Sequence, residues 1–242
     1  MKPNLHSRTL TPVRVSEIYD ITPTMRRITV TGDGLREFPV QKPAQWMKVF
    51  FPSPDNRPPS TRAYTIRQFY PRDARMEIDL VLHGDTGPAG YWAARAQVGS
   101  ALQLSMPRAG ADINAATKRF VLVGDHTALP AMSAIVAALP ERVQIDMFAE
   151  VPDERDEQEL VTAAQLNLRW IHAGHKAPGT TGQLETQLKQ ASIDIADCQF
   201  WVAGESTMVK NIVAHLCNER LVPKSAIQSA GYWKLGVKGH KE

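Results

Sequence analysis

Short runs in which apolar and polar residues alternate dominate the first hundred positions of the chain. Such alternation predicts β-strands, because successive side chains of a strand point to opposite faces. Turn signals separate the runs, including Gly32-Asp33-Gly34 and the proline-rich stretch at 52–59. The predicted strands lie at 13–18, 25–30, 46–51, 62–67, 76–82 and 101–104. Many short strands with one small helix predict an antiparallel β-barrel.

The pattern changes between positions 107 and 118. A continuous apolar run at 119–124 predicts a buried strand, and the segment 127–139 has the pattern of a helix. Strand and helix candidates then alternate, at 143–150, 157–165, 168–172, 181–190, 199–203, 206–216 and 226–232. This alternation predicts a parallel sheet with crossover helices. We therefore expect two domains, with a boundary near 112–118 and no long linker.

Charge is spread unevenly over the 242 residues. The net charge is +3, but residues 1–110 hold 15 Lys/Arg against 9 Asp/Glu, whereas residues 111–242 hold 13 against 16. The cations of the first half are scattered among the predicted strands and form no basic run. An anionic cofactor and an anionic small substrate explain this bias more economically than nucleic acid does.

Compartment signals indicate a cytoplasmic protein. No apolar run approaches the roughly 20 residues that a membrane-spanning helix requires, so we expect no membrane insertion. The polar N-terminal stretch does not have the pattern of a secretory signal. Cys198 and Cys217 lie in a predicted strand and a predicted helix and show no zinc-site spacing. Two buried thiols in a reducing compartment are the simplest interpretation.

Arg62-Ala63-Tyr64-Thr65 is the first stretch with candidate chemistry. In a strand, Arg62 and Tyr64 point one way and Ala63 and Thr65 the other. A cation, a flat aromatic ring and a hydroxyl within four residues suit a ligand that has a phosphate and a planar hydrogen-bonding ring. Alone, this tetrapeptide is weak evidence, because such a sequence is more often an ordinary exposed strand edge.

The second candidate stretch follows an apolar strand and runs from His83 through several glycines to Trp92. Pro88 near the start of a short helix is tolerated because the first N–H groups of a helix have no helical partner. Those N–H groups and the helix dipole favour an anion. His83 alone would be an ordinary turn histidine, but the two stretches together indicate a cradle for a flavin nucleotide.

Five blocks of the chain resemble the siderophore-interacting proteins, which are ferric-siderophore reductases among the ferredoxin-reductase-like flavoenzymes. The blocks are R-A-Y-T-I-R, D-L-V-L-H-G-D-T-G-P-A-G-Y-W, L-V-G-D-H-T-A-L-P-A, W-V-A-G-E and A-G-Y-W-K, and they follow the family's order. The resemblance spans about residues 11–233. It implies an FAD-binding barrel domain at 1–115 and an NAD(P)H-binding-type α/β domain at 116–242.

The resemblance also implies roles for residues of the two stretches. Arg62 would pair with the FAD pyrophosphate, Tyr64 would pack on the isoalloxazine, and Thr65 would hydrogen-bond near N5, with Ala63 beside them. A second wall would be formed by His83, Gly87, Pro88, Ala89 and Trp92. FAD carries out the redox step and the protein supplies position and electrostatics. No metal ligand from the protein is expected, because the siderophore already fills the coordination sphere of the iron.

An anionic ferric siderophore needs cations near the flavin. Lys48 and Arg108 match positions at which the family carries substrate-binding cations. The family's third cation has no counterpart here, because the corresponding stretch is Gln228-Ser229-Ala230, and Lys234 or Lys238 would have to substitute. Tyr232 and Trp233 would either close over the flavin or pack as part of the C-terminal core.

Three residues of the second domain are candidates for dinucleotide contacts, although the Gly-x-Gly-x-x-Gly fingerprint is missing. Thr127 is either a helix N-cap or a contact to pyrophosphate or nicotinamide; in the resembled family this turn lies beside both dinucleotides. Glu150 would accept hydrogen bonds from ribose hydroxyls. The acidic sequence that follows it favours NADH over NADPH. Two alternatives stay open: Arg155 could bind a 2′-phosphate, or the acidic loop could be only a solvated surface loop. Glu205 either caps the following helix or reaches the flavin edge.

Three functions follow from this sequence. The first is a flavin-dependent ferric-siderophore reductase, with NADH, NADPH or ferredoxin as the electron source. The second is a general ferredoxin or flavin reductase with the same fold. The third is a flavin-bearing siderophore-binding module without turnover, which would leave the second domain without a task.

Overall fold

The computed structural model describes residues 10–52, 59–82 and 87–237, with the backbone alone at residues 87 and 88. The chain divides into two compact units, and the division falls between Gly110 and Ala111. His83, the loop at 53–58 and Lys238 lie outside the described residues. None of the helices in the described part of the chain has the length and apolar character needed to cross a membrane.

The first unit is built on one antiparallel sheet of seven strands in the order β4-β3-β7-β1-β2-β6-β5. Its strands are β1 (Thr11–Thr22), β2 (Met25–Thr31), β3 (Trp46–Phe51), β4 (Ser60–Thr65), β5 (Gln68–Tyr70), β6 (Arg75–Val81) and β7 (Ala101–Leu104). Helix α1 (Gly87–Arg95) packs against β3 and β4. Alternate positions along β3 show why the sheet has an inner face: Met47, Val49 and Phe51 are at most 1% exposed, whereas the residues between them are half-buried.

The sheet must curl, because its two edge strands are consecutive in the sequence. Only two residues separate the end of β4 from the start of β5, so the chain can span about 10 Å there. Six strand spacings of about 4.8 Å would place the edges of a flat sheet roughly 29 Å apart. Strand β4 also contacts β6, which lies near the opposite edge. The antiparallel barrel predicted from the alternating pattern is confirmed.

The second unit is a parallel sheet of five strands in the order β10-β9-β8-β11-β12. Its strands are β8 (Arg119–Asp125), β9 (Gln144–Val151), β10 (Gln165–His172), β11 (Cys198–Glu205) and β12 (Ile227–Trp233). Its helices are α2 (Leu129–Ala138), α3 (Gln183–Gln190) and α4 (Ser206–Asn218). The chain leaves the central strand β8 towards β9 and β10, then returns to add β11 and β12 on the other side. The reversal creates a topological switch point between β8 and β11, where such sheets bind ligands.

Two local predictions differ from the structure. Residues 157–165 form no helix; they run as irregular chain into β10. The segment lacks an apolar stripe, since Val161 is 75% exposed, and the Thr162 hydroxyl donates to the carbonyl of Val136 at 2.7 Å. Strand β5 was not predicted, because three residues are too few to establish an alternating pattern. The predicted class, a barrel followed by a parallel α/β unit, is confirmed.

Candidate functional site

Arg62 lies on the edge strand β4, opposite Val49 of β3. Its side chain is exposed, and its guanidinium donates to the carbonyl of Thr61 at 2.8 Å. Within the described part of the chain no carboxylate pairs with it. Most of the donors of this guanidinium therefore remain available to an anion in solution.

Tyr64 lies on the same face of β4 as Arg62, as the predicted alternation requires. It pairs with Met47, and its ring packs edge-on against Phe51 at a centroid distance of 6.0 Å. Burial raises the pKa of Tyr64 to about 12, so the phenol stays neutral at physiological pH. The ring is half-buried, which leaves part of it accessible to a flat ligand.

Thr65 ends β4 and points to the other face, opposite Trp46. It is 8% exposed, yet its hydroxyl has no hydrogen-bond partner among the residues that the structure describes. The hydroxyl is not among the buried polar atoms that lack a partner, so water reaches it and a ligand atom can take the place of that water. Ala63, between Tyr64 and Thr65, is exposed and lies opposite Lys48.

Helix α1 places the second predicted stretch beside the first. It begins at Gly87 and includes Pro88, and Ala89 is partly buried against the core of this unit. Trp92 is 9% exposed, and its ring lies 5.1 Å from that of Phe51. Phe51 therefore contacts both Trp92 of α1 and Tyr64 of β4, so the two predicted halves of the cradle lie together.

These features fit a flavin nucleotide. The described part of the cradle offers a guanidinium without a carboxylate partner, an accessible tyrosine ring, a hydroxyl without a partner and the first turn of an adjacent helix. Phosphate, a planar ring and a ring nitrogen are the groups that such side chains and N–H donors bind.

Lys48 and Arg108 also lie close together. Trp46 exchanges two backbone hydrogen bonds with Arg108, at 2.8 and 3.2 Å, and Lys48 follows two residues later on the same face of β3. The Arg108 guanidinium is exposed and lies 5.4 Å from the centroid of the Trp46 ring. Lys48 is half-buried, and its backbone N–H donates to Ser105. Lys48 thus lies on β3, and Arg108 lies on the segment that pairs with β3 at Trp46.

A cavity of about 710 Å³ in the first unit contains none of the predicted site residues. Arg14, Arg36 and Phe50 contribute to its walls. Its size suits a small ligand, but the side chains with candidate flavin chemistry lie elsewhere, on β4 and α1. We place the functional site by those side chains and not by this cavity.

The carboxyl edge of the parallel sheet holds a residue that the sequence analysis missed, Asp125. Its carboxylate is 0% exposed and accepts hydrogen bonds from two other strands, through the backbone N–H of Glu205 and the indole N–H of Trp233, both at 2.8 Å. The backbone N–H and the hydroxyl of Thr127 donate to its other oxygen. Burial raises the pKa of Asp125 to about 6, against the opposing effect of these donors.

Gly204 leaves space for the Asp125 carboxylate because it has no side chain. It has a φ of +133°, and a Cβ there would lie 2.5 Å from Oδ2 of Asp125. A Cβ on Gly179 would lie 2.6 Å from the same oxygen. A glycine at the end of a strand permits the close approach of another group, and here that group is the Asp125 carboxylate.

Thr127 is not the N-cap of α2. The cap position is Ala128, which makes no side-chain cap hydrogen bond, and the Thr127 hydroxyl donates to Asp125 instead. The backbone N–H groups of Thr127, Ala128 and Leu129 all have partners inside the chain, and Pro130 has none to offer. The start of α2 therefore presents no free donors to a pyrophosphate. A contact from Thr127 to a dinucleotide stays a prediction.

Glu150 is 0% exposed near the end of β9. Its two oxygens accept from the backbone N–H of Gly179 and from the Thr181 hydroxyl. Burial raises its pKa, and the nearby charge of Glu185 acts in the same direction. A ribose could reach this carboxylate only by displacing Thr181, and the ribose role stays a prediction.

Glu205 caps α4, which was one of the two roles considered for it. One oxygen accepts from the N–H groups of Thr207 at 2.6 Å and Met208 at 2.9 Å. The other accepts from the N–H of Leu235 at 3.2 Å. Lys234 is exposed in the turn that follows β12, and its role as a third substrate contact stays a prediction.

The guanidinium of Arg155 is already paired with a carboxylate. Its guanidinium forms two hydrogen bonds with the carboxylate of Asp153, at 2.7 and 3.0 Å. These contacts hold the pKa of Asp153 at about 2. The acidic turn after β9 therefore keeps its negative charge and uses its one arginine internally.

Comparison with known proteins covers both units. The model of the siderophore-interacting FAD-binding domain matches residues 14–61 and 53–111, and the model of the siderophore-interacting protein matches residues 117–236. A curated relative, the ferric vibriobactin reductase ViuB of Vibrio cholerae, is 28% identical over 234 residues, covering 89% of this chain and 86% of its own length.

Solved structures of other proteins resemble this chain over nearly its whole length. A siderophore utilization protein from T. fusca is 29% identical, has a TM-score of 0.87, and is matched over 96% of this chain and 95% of its own. A ferredoxin-NADP+ reductase from Plasmodium falciparum is 9% identical and has a TM-score of 0.71 over 95% of this chain and 99% of its own. The second match shows a shared fold alone, and it confirms that the fold is ferredoxin-reductase-like.

Proposed function

Because the chain belongs to the siderophore-interacting protein family, we propose that it is an FAD-dependent ferric-siderophore reductase. The observation that carries the proposal is the arrangement on β4, where a guanidinium and a hydroxyl without a carboxylate or side-chain partner among the described residues lie within four residues of each other, together with an accessible tyrosine ring, beside α1. The ferric vibriobactin reductase named above supports a ferric chelate as the electron acceptor. The FAD-binding part is residues 1–115, and the donor-binding part is residues 116–242.

Each residue of the cradle has a defined task. Arg62 pairs with the pyrophosphate, and the first turn of α1, with Gly87, Pro88 and Ala89, faces the same anion. Tyr64 packs on the ring system, and Trp92 holds α1 against β3 and β4 through Phe51. Thr65 supplies a hydroxyl to a ring nitrogen. When bound, FAD accepts two electrons from the donor and delivers them one at a time to Fe(III).

Lys48 and Arg108 dock the substrate. The positive charges of Lys48 on β3 and of Arg108 on the segment paired with it attract an anionic ferric siderophore, and this attraction weakens as salt is added. The siderophore supplies all ligands of the iron, so the protein needs to hold only the chelate. Because Fe(II) binds less tightly than Fe(III) to hard oxygen ligands, reduction leads to release. Lys234 is our candidate for a third contact.

We infer that NADH, rather than NADPH, is the nicotinamide donor. Arg155, the nearest candidate for a 2′-phosphate, is held by Asp153, and the surrounding turn is acidic. A 2′-phosphate would meet repulsion there without a partner. Glu150 and Thr127 contribute polar groups to the same edge of the sheet. Ferredoxin is the alternative source of electrons, and the test below distinguishes it.

The test is anaerobic mixing of the FAD-loaded protein with each donor. We expect NADH to bleach the flavin absorbance, and a ferric siderophore to restore it with formation of two Fe(II) per NADH. Bleaching by reduced ferredoxin alone would retain the reductase and change the donor. A reduced flavin that ferric siderophores fail to reoxidise, while free flavins or an iron–sulfur protein do so rapidly, would contradict the proposal.

A further inference from the structure

Trp233 spans two strands at the switch point of the parallel sheet. It ends β12, where it lies opposite Glu205 of β11. Its indole N–H nevertheless reaches Asp125, at the end of β8 on the far side of β11, at 2.8 Å. The indole must therefore lie across the carboxyl end of β11, next to Gly204.

Hydrogen bonds fix both the backbone carbonyl and the indole of Trp233. Its carbonyl accepts a hydrogen bond from the Ser206 hydroxyl at 3.0 Å, while Asp125 holds the indole N–H. Asp125 is in turn fixed by the backbone N–H groups of Thr127 and Glu205 and by the Thr127 hydroxyl. Trp233 is half-buried, so part of its ring remains exposed at the edge where open α/β sheets bind ligands.

The chemistry of this edge selects a ring and not a phosphate. The N–H groups at the start of α2 are already used, and a buried carboxylate lies at the bottom of the switch point. These N–H groups offer an anion no donor, and the carboxylate would repel it. An indole held in one orientation is, by contrast, a good stacking surface for a flat heteroaromatic ring.

We propose that Trp233 is a stacking platform for a planar ring of the dinucleotide donor, and that Asp125 is the positioning residue that fixes its indole. This inference rests on the proposed function, because it assigns the donor to the second unit. The ring is nicotinamide or adenine, and the shared chemistry is stacking on a heteroaromatic face. Neither residue has to touch the flavin for the proposal to hold.

The test measures donor binding apart from turnover. Binding of NAD+ to the FAD-loaded protein is followed by calorimetry, and rapid anaerobic mixing with NADH gives the donor's Kd and the limiting rate of flavin reduction separately. Trp233→Leu should raise the Kd about 5- to 100-fold, the range expected for loss of one stacked ring. Competition by nicotinamide mononucleotide in preference to AMP would identify the ring as nicotinamide, and the reverse would identify adenine.

Asp125 is tested through the hydrogen bond that it shares with Trp233. Trp233→Phe keeps a ring but removes the N–H, and Asp125→Asn removes the acceptor, so each should raise the Kd by a similar, smaller factor. The double variant should bind no more weakly than either single variant, within about twofold, because both remove the same bond. Trp170→Phe is the matched control: it makes the same change at another half-buried tryptophan of the same sheet and should leave the Kd unchanged within twofold.

Three results would overturn the inference. One is a Trp233→Leu protein that binds NAD+ and NADH as the wild type does. Another is a loss of thermal stability in Asp125→Asn without any change in donor Kd, since a purely structural role would produce it. The third is a wild-type protein that takes electrons from ferredoxin and binds neither NAD+ nor NADH; the reductase proposal would then survive while this one failed.

Discussion

Asp125 gives the structure's sharpest quantitative prediction, because a fully buried carboxylate must affect stability as the pH changes. The test substitution is Asp125→Asn. The amide oxygen can still accept from the backbone N–H and hydroxyl of Thr127. The amide nitrogen then faces the N–H groups of Glu205 and Trp233, which donated to the carboxylate. Two buried donors lose their acceptor, while a buried negative charge disappears.

The two effects differ in their dependence on pH. Folding raises the pKa of Asp125 from 3.8 to about 6, so between these values the folded protein binds more protons than the unfolded chain. The stability of the wild type should therefore fall as the pH rises through this window, by about 3 kcal/mol for a shift of roughly two units. The variant lacks this group. Its two lost hydrogen bonds cost about 1–3 kcal/mol each at every pH.

The variant should thus be less stable than the wild type by about 2–6 kcal/mol at pH 3, and this difference in unfolding free energy should shrink by about 3 kcal/mol by pH 7.5. Urea unfolding followed by circular dichroism at intervals across this range gives the difference directly. The control is Asp194→Asn, which changes an exposed aspartate of the same unit. Its difference in unfolding free energy from the wild type should not change with pH. A difference that stays constant within about 0.5 kcal/mol, or that widens with pH, would refute the reasoning.

Further predictions concern the first unit. In titrations of the FAD-free protein, Arg62→Ala should weaken FAD binding about 10- to 100-fold, as expected for loss of one charge-assisted phosphate contact. The control Arg14→Ala, which also removes an exposed arginine bonded to a carbonyl, should leave FAD binding unchanged. Full FAD retention in Arg62→Ala would exclude Arg62 from the FAD site. Thr65→Val should retain FAD but shift its two-electron midpoint potential by about 20–30 mV, the equivalent of one hydrogen bond; an unchanged potential would separate Thr65 from the ring. Lys48→Ala should raise the KM for the ferric siderophore and reduce its salt dependence without changing flavin content, and an unchanged KM would exclude Lys48 from docking.

The sequence predicted the elements whose signals are local. Alternation over β4 established that Arg62 and Tyr64 share a face, and the apolar run of β8 predicted the first strand of the parallel sheet. The predicted helix at 157–165 was wrong because composition alone supported it, whereas no stripe of apolar residues was present to bury. Strand β5 was missed because it owes its existence to pairing with β6, and not to its own three residues.

Asp125 and Gly204 show why the rest could not be predicted. Two of the partners of Asp125 are 80 and 108 residues away in the sequence, and only the strand order brings them together. From the sequence, a glycine at the end of a strand indicates only that some group approaches the backbone closely. Which group approaches depends on the same long-range contacts, and here it is a carboxylate of the chain itself.

One anaerobic titration tests the central claim most directly. The purified protein is loaded with FAD, its flavin absorbance is recorded after addition of NADH or reduced ferredoxin, and a ferric siderophore is then added in the presence of an Fe(II)-specific chelator. The account predicts bleaching by a donor, then recovery of the oxidised spectrum with one Fe(II) for each electron stored. A protein that does not bind FAD, or a reduced flavin that no ferric siderophore reoxidises, would contradict the account.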